Sequence, residues 1–361
     1  MTKARIIAFR SLTTAPMPNS LDSFVDPVAG APWGELGAVR RAARLDERWH
    51  VDAVLGYPVD GLADDYSKAL GQWLNDDVVL DLTFSPPQTS KTPGAANLIA
   101  VASGKGGVGK STTAVNLALA LDRAGAKAGI LDADIYGPSQ GLMLGVAEGR
   151  KPEVKDGKFF LPIRAHGIEA ISMSMMVTDR TPMVWRGPMA SGALQQLMGQ
   201  TAWGDLDYLI VDMPPGTGDI QLTLSQAAAV GGAVIVTTPQ EVALLDARKG
   251  IEMFRKVDIP ILGIVENMAW FECDGCGKAH HLFGSGGGES VAREYDVSLL
   301  GSFPLDPAIR EQTDGGTPPV AADREGSVAA LYIDCARRAA SALWRASAQA
   351  APAPSISIDS Q

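Results

Sequence analysis

Cysteine is scarce in this sequence, and long apolar runs and clusters of basic residues are missing from it. Only three of the 361 residues are cysteines, which excludes the disulfide framework of a small secreted domain and favours a reducing compartment. No apolar stretch approaches the length of a membrane span, and the first residues lead into no uninterrupted signal core. We therefore expect a cytoplasmic protein.

The charge balance is acidic. The formal net charge is −10 at pH 7, and no lysine- or arginine-rich run offsets it locally. This balance argues against nucleic acid or an anionic membrane surface as the main partner, so we expect neither. The length suffices for a large α/β core and a small second unit.

What the sequence does contain is a complete phosphate-binding loop, SGKGGVGKST at residues 103–112. An apolar run before it predicts a buried strand, and helical periodicity after it predicts a helix, so the glycines form the turn between them. Glycines let successive backbone N–H groups face an anion at the positive end of the helix. Lys110 would reach the β- and γ-phosphates, and Ser111 would ligate Mg²⁺. The predicted nucleotide-binding residues of the loop are Gly104, Lys105, Gly106, Gly107, Val108, Gly109, Lys110, Ser111 and Thr112.

A second lysine, Lys105, stands at the start of this loop. It is either a solvated surface residue or a cation that reaches a phosphate across an interface. With the rest of the loop, it resembles the deviant Walker A ATPases, the group that includes MinD, ArsA and the nitrogenase iron protein. In that family the matching lysine contacts nucleotide on the partner subunit. The resemblance therefore implies a homodimer that sandwiches ATP, with Lys105 catalytic in trans and Lys110 catalytic in its own subunit.

Two acidic motifs follow apolar runs that predict further strands. The first contains Asp132 and Asp134, and the second begins at Asp212 and continues through residues 214–219. Open α/β sheets bind ligands at the carboxyl ends of their strands. By the resemblance, Asp134 positions the attacking water, and Asp132 lies nearer the metal. Asp212 would hold Mg²⁺ through water, and residues 214–219 would sense the γ-phosphate. Asp132 or Asp134 could instead cap a helix, which is the ordinary use of aspartate after a strand.

Two of the three cysteines form a CxxC motif, Cys273 and Cys276. A tetrahedral metal or a cubane cluster takes about four protein ligands, so the pair needs further ligands from this chain or a second copy from a dimer. A structural zinc site that includes His280 or His281 is one alternative, and a redox CxxC is another. Cys335 lies in a helical pattern, where a lone cysteine is usually a small buried hydrophobe.

The sequence around these cysteines is similar to the Mrp/ApbC-type iron-sulfur carrier ATPases. The supporting segments are VWRGPM at 184–189, TPQEVALLD at 238–246, VENM at 265–268 and FGSGGG at 283–288. In that family two cysteines per subunit hold a labile 4Fe-4S cluster at the dimer interface, so the resemblance assigns this role to Cys273 and Cys276. It also implies apo iron-sulfur client proteins and a cluster-assembly scaffold as partners, and it matches Asn267 to an adenine-contacting asparagine. The alternative is a MinD/ParA-like switch or scaffold with a structural zinc CxxC.

A proline-rich polar linker at residues 85–96 separates two predicted domains. In residues 1–84 we predict strands at 36–41, 49–55 and 78–84 and a helix at 63–74. This order resembles the small iron-sulfur assembly domain that is often fused ahead of Mrp ATPases. That domain family commonly has a cysteine where this chain has Tyr57, so we expect a protein-docking role for the domain.

The rest of the chain alternates between strand and helix patterns over residues 97–345. Apolar runs lie at or near Leu98, Ala128, Ile168, Tyr208, Ala233, Ile261 and Val297. This alternation predicts an α/β fold, a doubly wound, mainly parallel P-loop NTPase sheet preceded by a small α+β domain. Residues 346–361 are rich in alanine, serine and proline and predict a disordered tail.

Overall fold

The computed structural model describes residues 20–135, 137–172, 175, 187–216, 218 and 230–350. The chain forms two compact units. The first comprises Met1–Leu55 and Val59–Ser85, and the second comprises Gly56–Pro58 and Pro86–Gln361.

The first unit is built on a three-stranded sheet, β1 (Val39–Leu45), β2 (Arg48–Leu55) and β3 (Val78–Phe84). Strand β2 pairs antiparallel with β1 and parallel with β3, so helix α2 (Ala63–Leu74) forms the crossover. Tyr66, Leu70 and Leu74 are the buried residues of α2. Their spacing of four places them on one face, which is the face that packs against the sheet.

The predicted first strand, at residues 36–41, is wrong at its start. Trp33–Leu36 is a helical turn, α1, and it ends at Gly37, whose φ of 60° is left-handed. Glycine commonly ends a helix in this conformation because it has no Cβ to oppose it. The strand therefore begins only at Val39.

The second unit contains a nine-stranded sheet among its described residues. Its strands are β4 (Leu98–Ala102), β5 (Ala128–Asp132), β8 (Ile163–Ala165), β9 (Ile168–Ser172), β10 (Tyr208–Asp212), β11 (Gly232–Thr237), β12 (Ile261–Glu272), β13 (Ala279–His280) and β14 (Leu299–Pro304). Between β5 and β8, β6 (Val154–Lys155) and β7 (Phe159–Phe160) form a separate hairpin.

The strand order is β13-β12-β11-β4-β10-β5-β9-β8, and β14 also pairs with β12. Every pairing is parallel except those of β8 with β9 and β13 with β12. The central strands β4, β5 and β10 are buried along their whole length, as expected for a sheet covered on both faces. The predicted α/β fold with a mainly parallel sheet is confirmed.

The described helices of the second unit are α3 (Lys110–Arg123), α4 (Gln140–Met143), α5 (Gly187–Gln200), α6 (Glu241–Lys256), α7 (Gly287–Glu294), α8 (Pro307–Asp314), α9 (Pro319–Ala322) and α10 (Ser327–Ala350). Helix α10 continues past residue 345, so the predicted start of the tail at 346 is too early. Alanine is the best helix former, and the alanines of residues 346–350 extend the helix. No described helix combines the length and the apolar character that crossing a bilayer requires.

Residues 56–58 pack within the second unit. The Tyr208 hydroxyl donates a hydrogen bond to the carbonyl of Gly56 at 3.0 Å. Tyr57 is fully buried, and its ring lies 6.2 Å from that of Trp344, centroid to centroid. Tyr57 therefore fills a core position of the second unit.

Candidate functional site

The phosphate-binding loop joins the end of β4 to the start of α3. Gly109 caps the helix with a left-handed φ of 84°, and a Cβ there would overlap the side-chain amide of Asn267. A Cβ on Gly104 would overlap the backbone carbonyl of Asp246 in α6. Gly106 and Gly107 instead face open space. The loop is thus held closely from behind and left open in front, where phosphates would lie.

Lys110 and Asp212 form a buried ion pair at the base of this loop. Lys110 Nζ lies 2.5 Å from Asp212 Oδ1, and the two side chains are 6% and 0% exposed. Lys110 Nζ also donates to Ser111 Oγ at 3.2 Å. The structure therefore brings together three predicted groups: the lysine expected to reach the phosphates, the hydroxyl expected to ligate Mg²⁺, and the carboxylate expected to hold Mg²⁺ through water.

Gln140 connects Asp212 with Ser111, and no sequence motif indicated this role. Its Nε2 donates to Asp212 Oδ2 at 2.8 Å and to the carbonyl of Ser111 at 3.0 Å. The residue is fully buried, and its Oε1 has no partner among the described residues. A polar residue at the start of a short helix is an ordinary sequence feature, so only the fold reveals this role.

Asp132 lies beside Asp212 in the neighbouring strand, and both of its oxygens accept hydrogen bonds. Oδ2 accepts from the N–H groups of Ser139 and Gln140 at 2.9 and 3.0 Å and from the Ser172 hydroxyl at 2.9 Å. Burial and the charge of Asp212 raise the pKa of Asp132, and these donors oppose that rise. Asp132 therefore anchors the start of α4 from the neighbouring strand, and its predicted place near the metal stays a prediction.

The two remaining predicted catalytic residues differ in exposure. Asp134 is 8% exposed, and its Oδ1 accepts from the N–H of Gly137 at 3.2 Å. Lys105 is half-buried, and no described carboxylate lies within ion-pair distance of its ammonium. Their roles in positioning water and in reaching a partner's nucleotide stay predictions.

Strand β12 carries Asn267 to the loop, where its Nδ2 donates to the carbonyl of Val108 at 2.9 Å. The next residue, Met268, has a left-handed φ of 57°, and the pairing with β14 shifts register between Glu266 and Trp270. The strand then resumes and ends at Glu272. Asn267 is thus placed against the nucleotide loop, and its contact with adenine stays a prediction.

The CxxC motif forms the turn between β12 and β13, whose pairing joins Phe271 to His280 and Glu272 to Ala279. Within the turn, the N–H groups of Cys276 and Gly277 donate to the carbonyl of Cys273 at 3.2 and 2.8 Å. Hydrogen bonds from the backbone of Gly275, then of Cys276, lower the pKa of the Cys273 thiol. A turn that directs N–H groups at a sulfur favours the thiolate, which is the form that binds metal.

The cysteine pair lacks further ligands in its own chain. Among the described residues, no group of three or more His, Cys, Asp and Glu side chains could hold a metal ion. His281 Nδ1 lies 2.9 Å from the carbonyl of Ala269, and His280 is exposed on β13. Cys335 is fully buried in α10, and burial raises its pKa to about 12. The zinc alternative therefore finds no third ligand in the part of the chain described here.

Some residues singled out from the sequence lie outside the described residues. They are residues 184–186 of the VWRGPM segment, and Thr217 and Asp219 of the predicted γ-phosphate sensor.

Comparison with known proteins agrees with this geometry. Residues 94–340 match the model of a family described as the ParA-type "NUBPL iron-transfer P-loop NTPase". The chain belongs to this family. Two curated relatives, each named iron-sulfur cluster carrier protein, come from Pseudomonas fragi and Salmonella typhimurium. The first is 64% identical over 68% of this chain and 87% of its own, and the second is 46% identical over 91% and 92%.

A solved structure extends the comparison to three dimensions. The nucleotide-binding protein of Archaeoglobus fulgidus, in complex with ADP, is 40% identical and superposes with a TM-score of 0.55. The match covers 62% of this chain and 87% of that one. The iron-transfer P-loop NTPase fold of this chain is therefore shared with a protein that binds nucleotide.

Proposed function

We propose that this family member is a homodimeric ATPase that holds a 4Fe-4S cluster between the CxxC pairs of two subunits and transfers it to apo proteins. The observation that carries the proposal is the incomplete metal site of Cys273 and Cys276. The pair has the backbone donors of a thiolate site, yet no third ligand lies near it among the described residues. Two copies related by a twofold axis would supply the four sulfurs that a cubane cluster takes.

The nucleotide side of the proposal rests on the loop and on Lys110, Ser111 and Asp212. Backbone N–H groups and Lys110 would bind the phosphates of ATP, the substrate. The donor set of Ser111 and Asp212 consists of oxygens, which Mg²⁺ prefers, and bound Mg²⁺ would neutralise phosphate charge. Asp134 would orient the attacking water, and Lys105 would reach the nucleotide of the partner subunit.

Continuity of β12 supports a link between the two chemistries. The same strand contacts the phosphate-binding loop through Asn267 and carries the hairpin that bears Cys273. At the base of that hairpin, the carbonyl of Trp270 accepts a hydrogen bond from the N–H of Leu305 at 2.6 Å. We infer that a displacement of the loop by nucleotide would move Asn267 and, through β12, the hairpin that carries the cysteines.

Anaerobic reconstitution with iron and sulfide tests the cargo assignment. Wild type should bind iron and sulfide in amounts equal to about one 4Fe-4S cluster per two chains. This is the stoichiometry of a cluster held by four cysteine sulfurs that two subunits share. Cys273→Ala with Cys276→Ala should bind none. Absorbance, iron and sulfide content and the mass of the assembly are measured together.

Cys335→Ala is the matched control, because Cys335 is buried in a helix and should leave cluster content unchanged. Equal cluster content in the double variant and in wild type would contradict the ligand assignment. Tightly held zinc that resists replacement by iron would instead favour a ParA-like switch with a structural metal.

A further inference from the structure

Gln140 occupies a position that the proposed chemistry has not used. It is the residue that joins Asp212 to the phosphate-binding loop, through hydrogen bonds to Asp212 Oδ2 and to the carbonyl of Ser111. Both partners are acceptors, so the amide nitrogen must face them and the carbonyl oxygen must face away. That Oε1 is buried and has no partner among the described residues.

The proposed nucleotide chemistry assigns Lys110 to the phosphates, away from the ion pair beside Gln140. If Lys110 turns to the phosphates, Asp212 loses the cation that now lies 2.5 Å from its Oδ1. A fully buried carboxylate without a cation is unfavourable, so Asp212 would then need a divalent cation in place of Lys110. Gln140 would assist that exchange because it keeps one oxygen of Asp212 hydrogen-bonded without neutralising the charge that binds the cation.

The Oε1 of Gln140, which has no partner among the described residues, also fits a hydrated divalent cation. Buried polar atoms are nearly always hydrogen-bonded, so a buried acceptor without a partner is unusual in a residue that bonds Asp212. Lys110 Nζ is already engaged by Asp212 and Ser111. A water molecule of hydrated Mg²⁺ has the donor protons that this oxygen lacks, and magnesium usually keeps several of its waters in nucleotide sites.

We propose that Gln140 is a positioning residue for the magnesium site. Its amide bridges Asp212 and the carbonyl of Ser111, and it would keep Asp212 in place when Lys110 leaves the ion pair to bind the phosphates. This inference rests on the proposed nucleotide chemistry. It predicts that Gln140 contributes to the gain in nucleotide affinity that Mg²⁺ provides, and that it contributes little to nucleotide binding without the metal.

The test compares Gln140→Met with wild type in the full chain. Methionine keeps the length and shape of the side chain but has no amide to donate. Affinity for a fluorescent, non-hydrolysable ATP analogue is measured with Mg²⁺ and again with EDTA, and the melting temperature is measured without nucleotide. We expect the Mg²⁺-dependent gain to fall about tenfold or more, the size of a lost hydrogen bond to a charged group, with little change in EDTA.

Two further variants are measured in parallel. Gln140→Leu also removes the amide and adds no charge, so it should show the same selective loss. Gln196→Met is the matched control, because Gln196 is an exposed glutamine of α5 that bonds Gln200 at 2.9 Å. It should match wild type in both conditions.

Retention of the full Mg²⁺-dependent gain by Gln140→Met and Gln140→Leu would overturn the inference and leave the proposed function intact. Equal weakening with Mg²⁺ and with EDTA, together with a lower melting temperature, would also overturn it, since that is the result of a merely structural role. A wild-type chain that binds the analogue equally with and without Mg²⁺ would overturn the proposed roles of Ser111 and Asp212 as well.

Discussion

Strand β12 contacts the phosphate-binding loop through Asn267 and also carries the cysteine hairpin. The two regions differ in how much of each candidate site a single chain supplies. At the loop, Lys110, Asp132 and Asp212 are buried and engaged in hydrogen bonds or ion pairs. At the hairpin, Cys276 is exposed and no third metal ligand is gathered among the described residues. The difference teaches that the groups proposed to bind phosphate and Mg²⁺ already meet within one chain, whereas the proposed cluster site needs a second source of ligands.

The largest expected effect is that of Lys110→Ala on the proposed nucleotide site. It leaves Asp212, which is 0% exposed, without its cation, and an uncompensated buried charge costs about 3–5 kcal/mol of stability. Productive Mg-ATP binding should be lost with it. Urea unfolding without nucleotide and a nucleotide titration measure the two effects.

Lys105→Ala is the matched control for that comparison. Because Lys105 is half-buried and pairs with no described carboxylate, the free energy of unfolding should stay within about 0.5 kcal/mol of wild type. Equal losses of stability in the two lysine variants would show that the buried pair is not what stabilises the loop.

Asp134→Ala should separate binding from chemistry. A carboxylate that orients the attacking water acts on the transition state, so nucleotide affinity should persist while turnover falls about a hundredfold or more. Single-turnover hydrolysis and equilibrium binding are measured on the same preparation. Normal turnover would remove Asp134 from the catalytic residues.

Mixing two variant subunits tests whether the nucleotide site also takes a residue, Lys105, from the partner subunit. If Lys105 acts in trans, a heterodimer of Lys105→Ala and Asp134→Ala subunits has both defects in one composite site and an intact second site. Part of the lost activity should then return, at most about half of the wild-type rate per dimer. No recovery, with heterodimers shown to form by mass, would count against the nucleotide-sandwich dimer.

A smaller difference is expected between the alkylation rates of Cys273 in the hairpin and Cys335 in the core. The pKa of Cys273 is lowered by backbone N–H groups, so its thiolate persists at lower pH than that of an ordinary thiol. The pKa of Cys335 is raised to about 12, so its thiolate is scarce at neutral pH. Iodoacetamide at pH 7 followed by mass spectrometry should label Cys273 in the folded apo protein and Cys335 only after unfolding. Prompt labelling of Cys335 in the folded protein would contradict its buried environment.

The smallest effect concerns Met268, which joins the two regions. Its left-handed φ of 57° costs a non-glycine residue about 1 kcal/mol, which glycine avoids. Met268→Gly should therefore change the free energy of unfolding by no more than about 1 kcal/mol, while the β-branched Met268→Val should destabilise by more than that. Denaturant unfolding of both variants distinguishes them. Equal stability of the two variants would show that the backbone at the register shift between Glu266 and Trp270 readily adopts another conformation.

Much of the fold and of the loop was predictable because it depends on local pattern. Apolar runs predicted strands such as β4 and β10, and helix α2 begins and ends at the predicted residues. The start of the strand predicted at 36–41 was wrong because Gly37 ends a helical turn. Apolar periodicity does not reveal such a turn. Gln140 was missed because its partners are distant in sequence, with Asp212 72 positions away.

The sequence by itself determined the chemistry available to this protein. Glycine, lysine and serine in the loop, aspartates at strand ends and two closely spaced cysteines are properties of residue type and spacing. The tertiary structure decided which of these groups meet. Parallel strands bring Asp132 and Asp212 to one edge of the sheet. Asp132 accepts hydrogen bonds from backbone N–H groups at the start of α4, and Gln140 joins Asp212 to the loop. These contacts depend on strand order and burial, because a polar group removed from water must find its partner wherever the fold places one.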